Sequence, residues 1–190
     1  MKVENGQLAP GFVAQNYTGE TIDLEQYRGK KVWLGFYRWA SCPTCNYRMH
    51  EVLQRYEEFA AKGIQLVAVF QSPAENIEKH IGEQKPPFPL IADPDLELYD
   101  KYGVHARASA MFHPRVFIAI FKALFGGFFT LAGMKSDGPK AMVPADFLVD
   151  PEGLVWRAHY GDAISDHIPL QQIDEFADDQ CLEMPADAVA

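Results

Sequence analysis

Cys42 and Cys45, in the run Trp39-Ala40-Ser41-Cys42-Pro43-Thr44-Cys45, are the residues whose type and spacing point to chemistry. With two residues between them, two thiols lie about one helical turn apart, close enough to interchange dithiol and disulfide. Lys31 to Tyr37 is aromatic and β-branched, the pattern of a buried strand. After the pair, Met49, Val52, Leu53, Tyr56 and Phe59 recur at the i, i+3, i+4 spacing of a packed helix that should run to about Ala61. Pro43 suits the first position of that helix, so unpaired N–H groups and the positive end of the helix dipole point at Cys42. This favours the thiolate, the nucleophilic form, and makes Cys42, the more exposed thiol by this reading, the expected attacker.

A C-x-x-C can also be half of a structural zinc site, which needs a second pair of ligands. Cys181 is the remaining cysteine, and His50, His80, His105, His113, His159 and His167 show no paired finger spacing. No metal and no cofactor are therefore expected.

At 190 residues and 48% hydrophobic, the chain suits one domain with a sizeable core. Its net charge of −9 argues against a nucleic-acid partner, which would require a basic surface. The stretch Met1 to Gly6 has no apolar run of the kind that directs secretion, so the expected location is cytoplasmic, where a C-x-x-C is more often catalytic than structural.

Turn residues between short apolar stretches predict a β-hairpin within residues 6–29. Ile64 to Phe70 reads as a second buried strand, parallel to the first through a right-handed crossover. Ser72 is expected to cap a helix near 73–83 that begins at Pro73. Pro86 to Pro89 keeps the chain extended towards a short strand at Leu90-Ile91, and a helix is expected from Pro94 to Tyr102. Asp146 to Asp150 and Leu154 to His159 form a hairpin about Pro151-Glu152-Gly153, a last helix covers about 168–179, and the tail from Glu183 should fray.

With Gly6, Ala9-Pro10, Phe12, Gly29-Lys30, Phe36-Tyr37, Phe88-Pro89-Leu90, Asp93-Pro94, Tyr102-Gly103-Val104 and Phe147 to Asp150 in this order, the chain resembles the thioredoxin-fold superfamily. More narrowly, it resembles the peroxiredoxin-like branch, the alkyl hydroperoxide reductase and thiol-specific antioxidant family. The resemblance implies an α/β, thioredoxin-like fold: a central mixed sheet flanked by helices, with an N-terminal β-hairpin, in a single domain 1–190 interrupted by a helical insertion at about 105–142. It implies a thiol-dependent oxidoreductase restored by an external dithiol donor, with a hydroperoxide or a protein disulfide as substrate. It also implies a cis-proline at Pro144, preceded by Val143, that faces the cysteines and holds substrate. Trp39, Pro43 and Thr44 are expected to complete the substrate contact.

The chain departs from both family templates. The peroxiredoxin pattern P-x-x-x-T-x-x-C falls on Arg38, Cys42 and Cys45, of which only the last agrees, and the later peroxide-holding arginine falls at Pro144. In the thioredoxin template Cys42 attacks and Cys45 resolves, but the buried aspartate that serves the resolving thiol falls at Phe36. Arg38 and Arg48 are candidate thiolate stabilisers, or else solvated side chains or partners of Glu51. His159 and His167 are expected to be structural, each with a hydrogen-bonded partner, rather than proton carriers. Cys181 is expected to be a small residue near the last helix rather than a resolving thiol.

Val116 to Gly133 carries one charge, Lys122, in eighteen residues. It approaches the length of a membrane span, but Lys122, the Gly126-Gly127 pair and its position within one sheet oppose crossing. A helical hairpin capping the site, a surface that pairs two copies of the chain, and an interfacial membrane contact remain, and the first two are expected. The rival to an enzyme is a redox-responsive binding protein that uses this apolar insertion.

Overall fold

The computed structural model describes residues 2–128 and 135–179. Cys181, the tail from Glu183, and residues 129–134 of the insertion, with the second arm of its expected hairpin, lie outside the described residues.

The chain opens with β1 (Val13–Gln15) and β2 (Thr21–Asp23), an antiparallel pair within the expected hairpin region. Then come β3 (Lys31–Phe36), α1 (Pro43–Ala61), β4 (Ile64–Phe70), α2 (Ala74–His80), β5 (Leu90–Ala92) and α3 (Glu97–Lys101). The insertion contributes α4 (Pro114–Phe125), and the chain closes with β6 (Ala145–Val149), β7 (Val155–Tyr160) and α5 (Leu170–Asp178). The central sheet runs β5-β4-β3-β6-β7, with β5, β4 and β3 parallel and β6 and β7 antiparallel. The β3-α1-β4 crossover makes the parallel pair, whereas the tight turn at Gly153, with φ of +79°, returns β7 antiparallel to β6. This is the mixed, helix-flanked sheet of a thioredoxin-like fold.

Side chains alternate across the sheet and build two apolar layers. Trp33, Leu66, Phe70 and Leu148 face α1 and α5, and pack with Met49, Val52, Phe59, Ile173 and Phe176. On the opposite face Phe36 packs edge-on to Tyr99 and Phe147, with ring centroids 5.1 and 5.7 Å away, beside Tyr102. The two cysteines belong to the first layer, so the chemistry sits at the upper edge of a packed core.

Two helix starts differ from expectation. The helix expected from Pro94 begins at Glu97, because the Asp93 carboxylate accepts the N–H groups of Glu97, Leu98 and Tyr99 from 2.9 to 3.2 Å and holds the preceding residues in a turn. Ser72 does not cap α2: its hydroxyl instead accepts the Ala40 N–H and donates to Asp137, which ties it to the cysteine loop and the insertion.

α4 starts at Pro114 and stops where Gly126 and Gly127 follow, the latter at φ +79°. It packs against α1: Val116 and Ala123 are buried, and Phe128 beyond its end reaches Tyr47 and His50. No helix among the described residues is long and apolar enough to cross a membrane.

Candidate active site

β3 delivers the chain to Tyr37-Arg38-Trp39-Ala40-Ser41, a loop that doubles back so that the Cys42 N–H reaches the Trp39 carbonyl at 3.0 Å. Cys42 is the N-cap of α1, Pro43 follows at the first helical position, and the Asn46 N–H makes the first helical bond to the Cys42 carbonyl at 2.9 Å. The Asn46 side chain donates to the Ala40 and Cys42 carbonyls, bracing the turn from the helix side. Both cysteines are free thiols. Contrary to the expectation that Cys42 is the more exposed of the two, they are 1% and 2% accessible, buried in one cluster with Trp39, Ala40 and Met49.

Burial opposes charge on Cys42, but the opposing influences are stronger. The Cys45 thiol donates to it, the Arg38 guanidinium stands 3.6 Å from Sγ, the Thr44 hydroxyl is 3.2 Å away, and the Cys45 backbone N–H adds a further bond; together they bring the Cys42 thiol down to about 5. Cys45 is pushed well above the ordinary thiol value by its burial and by the charge on Cys42. Environment thus separates the pair into a thiolate and a protonated partner.

Arg38 is itself positioned. Its guanidinium lies 4.1 Å from the Trp39 ring centroid and donates through Nη2 to the Lys140 carbonyl at 2.6 Å. Arg48 is directed elsewhere: it donates to the Ile168 carbonyl at 2.6 Å and faces Glu51 at 3.7 Å, the pairing weighed against a role at the sulfur.

Val143 and Pro144 lead directly into β6, where the next residue, Ala145, pairs with Phe36. The cis-proline implied by resemblance is not present: the Val143–Pro144 bond is trans, as is every peptide bond among the described residues. The trans form is favoured by about 0.5–1 kcal/mol before any context acts, and here the Pro144 carbonyl accepts the Gly161 N–H at 2.9 Å. Val143 packs with Ala110, Val116, Ala163 and Ile164, which joins the insertion to the loop before α5.

The histidines have the partners expected of structural groups. His159 Nε2 lies 3.0 Å from the Asp166 carbonyl, and His167 Nδ1 lies 3.2 Å from Asp146 Oδ2. Asp146 is the functional-site neighbour that the sequence reading missed. It is fully buried on the cysteine side of the sheet, accepts Trp33 Nε1–H and the Ile168 N–H at 2.9 Å each, and borders Tyr37, whose ring stacks on Phe70 and lies 4.6 Å from His167. Burial resists its ionisation, but His167, Arg48 and the Ile168 N–H hold the carboxyl down at about 2. The signal was present as a charged residue within the apolar strand Ala145 to Val149.

Beside the turn, a cleft of about 450 Å³ opens next to Ser41, lined also by Asn46, His50, His80, Glu83 and Gln84. Among the described residues no group of three or more His, Cys, Asp or Glu side chains is arranged to hold a metal ion.

The profile of the AhpC/TSA family matches residues 5–158. The thiol-disulfide oxidoreductase ResA of Halalkalibacterium halodurans is 31% identical over 101 residues, covering 52% of this chain and 56% of the relative. The chloroplastic peroxiredoxin Q of Populus jackii is 27% identical over 105 residues, covering 55% of this chain and 49% of the relative. The chain thus spans about half the length of these two relatives. The crystal structure of peroxidoxin BcpB from Mycobacterium tuberculosis superposes with a TM-score of 0.65 over 92% of this chain and 94% of that one; at 16% identity this likeness carries the fold alone. Since the matched span takes in the hairpin, the cysteine turn, and β6 with most of β7, this chain belongs to the AhpC/TSA family.

Proposed function

We propose that this protein is a thiol-dependent oxidoreductase in which Cys42 is the nucleophile and Cys45 the resolving thiol. The observation that carries this reading is the split within the pair: a thiolate held by Arg38 and Thr44 at a helix N-terminus, with a protonated thiol one turn on.

With a hydroperoxide, the Cys42 thiolate attacks the terminal oxygen, the O–O bond breaks, and the departing alkoxide takes a proton to leave as an alcohol. Cys42 is then a sulfenic acid. Cys45 attacks its sulfur, loses its proton to the departing hydroxide, and water leaves as the disulfide closes. With a disulfide substrate, Cys42 forms a mixed disulfide, one thiolate leaves, and Cys45 displaces the other. In both cases two electrons pass from the dithiol to the substrate, and an external dithiol donor returns them.

Trp39, Pro43 and Thr44 supply the walls of the substrate site, and the cleft next to Ser41 is the approach for the donor. A cytoplasmic setting, where thiols are kept reduced, suits a pair that works from its dithiol form, as does an antioxidant role. Phe117, Phe121, Leu124 and Phe125 leave an apolar face exposed on α4, which supports pairing of two copies through the insertion.

The test is the second-order oxidation of the fully reduced protein by hydrogen peroxide and by a peptide disulfide, with products read by intact mass. The wild type should end as the internal Cys42–Cys45 disulfide. Cys45→Ser should stop at the sulfenic acid or the mixed disulfide, and Cys42→Ser should form neither. Trapping that survives in Cys42→Ser and disappears in Cys45→Ser would reverse the roles.

A further inference from the structure

We propose that residues 135–140 are a strap latched over the Cys42 turn by Asp137, and that Asp137 sets the size of oxidant Cys42 can take. Latched, the site favours small hydroperoxides over protein disulfides. This rests on the reading of Cys42 as the attacking thiol.

Four buried polar side chains around the turn find partners in this short segment. Ser72 donates to Asp137 Oδ2 at 2.6 Å and Arg38 donates to the Lys140 carbonyl at 2.6 Å. Ser41 donates to the Lys135 carbonyl at 3.2 Å and Gln71 to the Pro139 carbonyl at 3.3 Å. Ser72 and Gln71 are completely enclosed, and Arg38 and Ser41 nearly so. Gly138 makes the close approach feasible, because a Cβ at that position would meet the Gln71 side chain at 3.0 Å.

The donors converge on the nucleophile from two strands. Arg38 and Ser41 precede Cys42 after β3, and Gln71 and Ser72 follow the neighbouring β4. The two loops are themselves tied by Gln71 N–H to the Arg38 carbonyl and by Ala40 N–H to Ser72 Oγ. Three of the four strap contacts use backbone carbonyls, which only the path of the chain can supply. The fourth uses the Asp137 carboxylate, a charged acceptor on the Ser72 hydroxyl that itself holds Ala40. Arg38 links strap and sulfur directly, with Nη2 on the Lys140 carbonyl and Nη1 on Cys42 Sγ.

The consequence is steric. Attack on a disulfide requires the sulfur–sulfur bond to lie in line with the thiolate, with the rest of the substrate beyond it. A thiolate 1% accessible is closed to either oxidant until the turn gives way, but hydrogen peroxide, little larger than water, needs far less displacement than a peptide disulfide with chain on both sides of its sulfurs. Full opening of the strap must therefore precede reaction with a protein disulfide, whereas a small peroxide needs only a local fluctuation of the turn.

The experiment compares wild type, Asp137→Ala and Asp137→Asn as full-length reduced protein. The rate of Cys42 reaction with an oxidised peptide disulfide is divided by its rate with hydrogen peroxide, a ratio that cancels changes in the thiolate fraction. Losing a charge-assisted bond should raise the ratio about ten-fold or more in Asp137→Ala, and Asp137→Asn, which keeps an oxygen acceptor for Ser72, should fall between that and the wild type. An unchanged ratio in Asp137→Ala overturns the proposal. Access is read independently of any oxidation by alkylating Cys42 with iodoacetamide and with a maleimide carried on a long polymer, the site being identified by peptide mass. The polymer should gain in Asp137→Ala even if neither oxidant produces the Cys42–Cys45 disulfide, so failure of the redox reading and failure of the strap give different results.

Discussion

Gly35 lies opposite Asp146 in the β3–β6 register, and the side chain that Gly35 lacks leaves the space for the Asp146 carboxylate. A Cβ at Gly35 would stand 3.3 Å from Asp146 Oδ1 and 3.1 Å from the Tyr37 ring. The floor beneath the cysteines is thus built by a missing methyl group as much as by the residues present. Gly35→Ala should crowd Tyr37 and Asp146 and lower stability by about 1–3 kcal/mol, read as a lower urea midpoint at unchanged slope.

Asp146 joins three partners that would each be left without it. Asp146→Ala strands the Trp33 and Ile168 N–H groups and a buried His167, and should cost about 3–5 kcal/mol at pH 7 by denaturant unfolding. The pH dependence has a definite sign. The folded carboxyl sits below its ordinary value of 3.8, at about 2, so its contribution is complete above the unfolded value and is lost as pH falls towards the folded one. The gap between wild type and variant should therefore narrow by roughly 2 kcal/mol between pH 5 and pH 2. A gap that widens on acidification would contradict the assignment.

Arg38 should control the pH profile of Cys42. Because the Cys42 thiol is lowered, its alkylation rate should rise through a midpoint well below the ordinary thiol value and stay level above it. Arg38→Met removes the cation 3.6 Å from Sγ and should move the midpoint up by about one pH unit or more. Arg48→Met, with its side chain on Ile168 and Glu51, should leave the midpoint nearly in place while lowering stability. Iodoacetamide kinetics across pH, followed at Cys42 by peptide mass, separate the two arginines.

The exposed face of α4 makes a prediction about assembly. Phe121 and Phe125 have ring centroids 4.3 Å apart and are 61% and 74% exposed. If two copies pair through this face, replacing both with Glu should convert the protein to a monomer in sedimentation experiments at concentrations where the wild type is paired. It should leave the oxidation rate of Cys42 within about two-fold, since neither ring lies among the groups that bond to the turn.

The sequence by itself determined the elements and the reactive turn. The aromatic and β-branched run of β3, the 3.6-residue period of α1, and Pro43 behind Cys42 are local signals, each decided by residues within a few positions of one another. They placed a helix N-terminus at Cys42, and Arg38 close enough in the chain to reach it. What the tertiary structure alone decided are contacts between residues far apart in the chain. Asp146 meets Trp33 across 113 positions, Arg38 meets Lys140 across 102, and Ser72 meets Asp137 across 65. A strand pattern marks which face a residue takes but not which distant polar group meets it there, so Ser72 read as a helix cap and Asp146 as part of an apolar strand. The same limit applied to Pro144, where family likeness implied a cis bond and the chain's entry into β6 is trans. The return of residues 135–140 to the buried polar groups around the cysteine turn is likewise a path set by hydrogen bonds from two separate strand ends rather than by any local pattern.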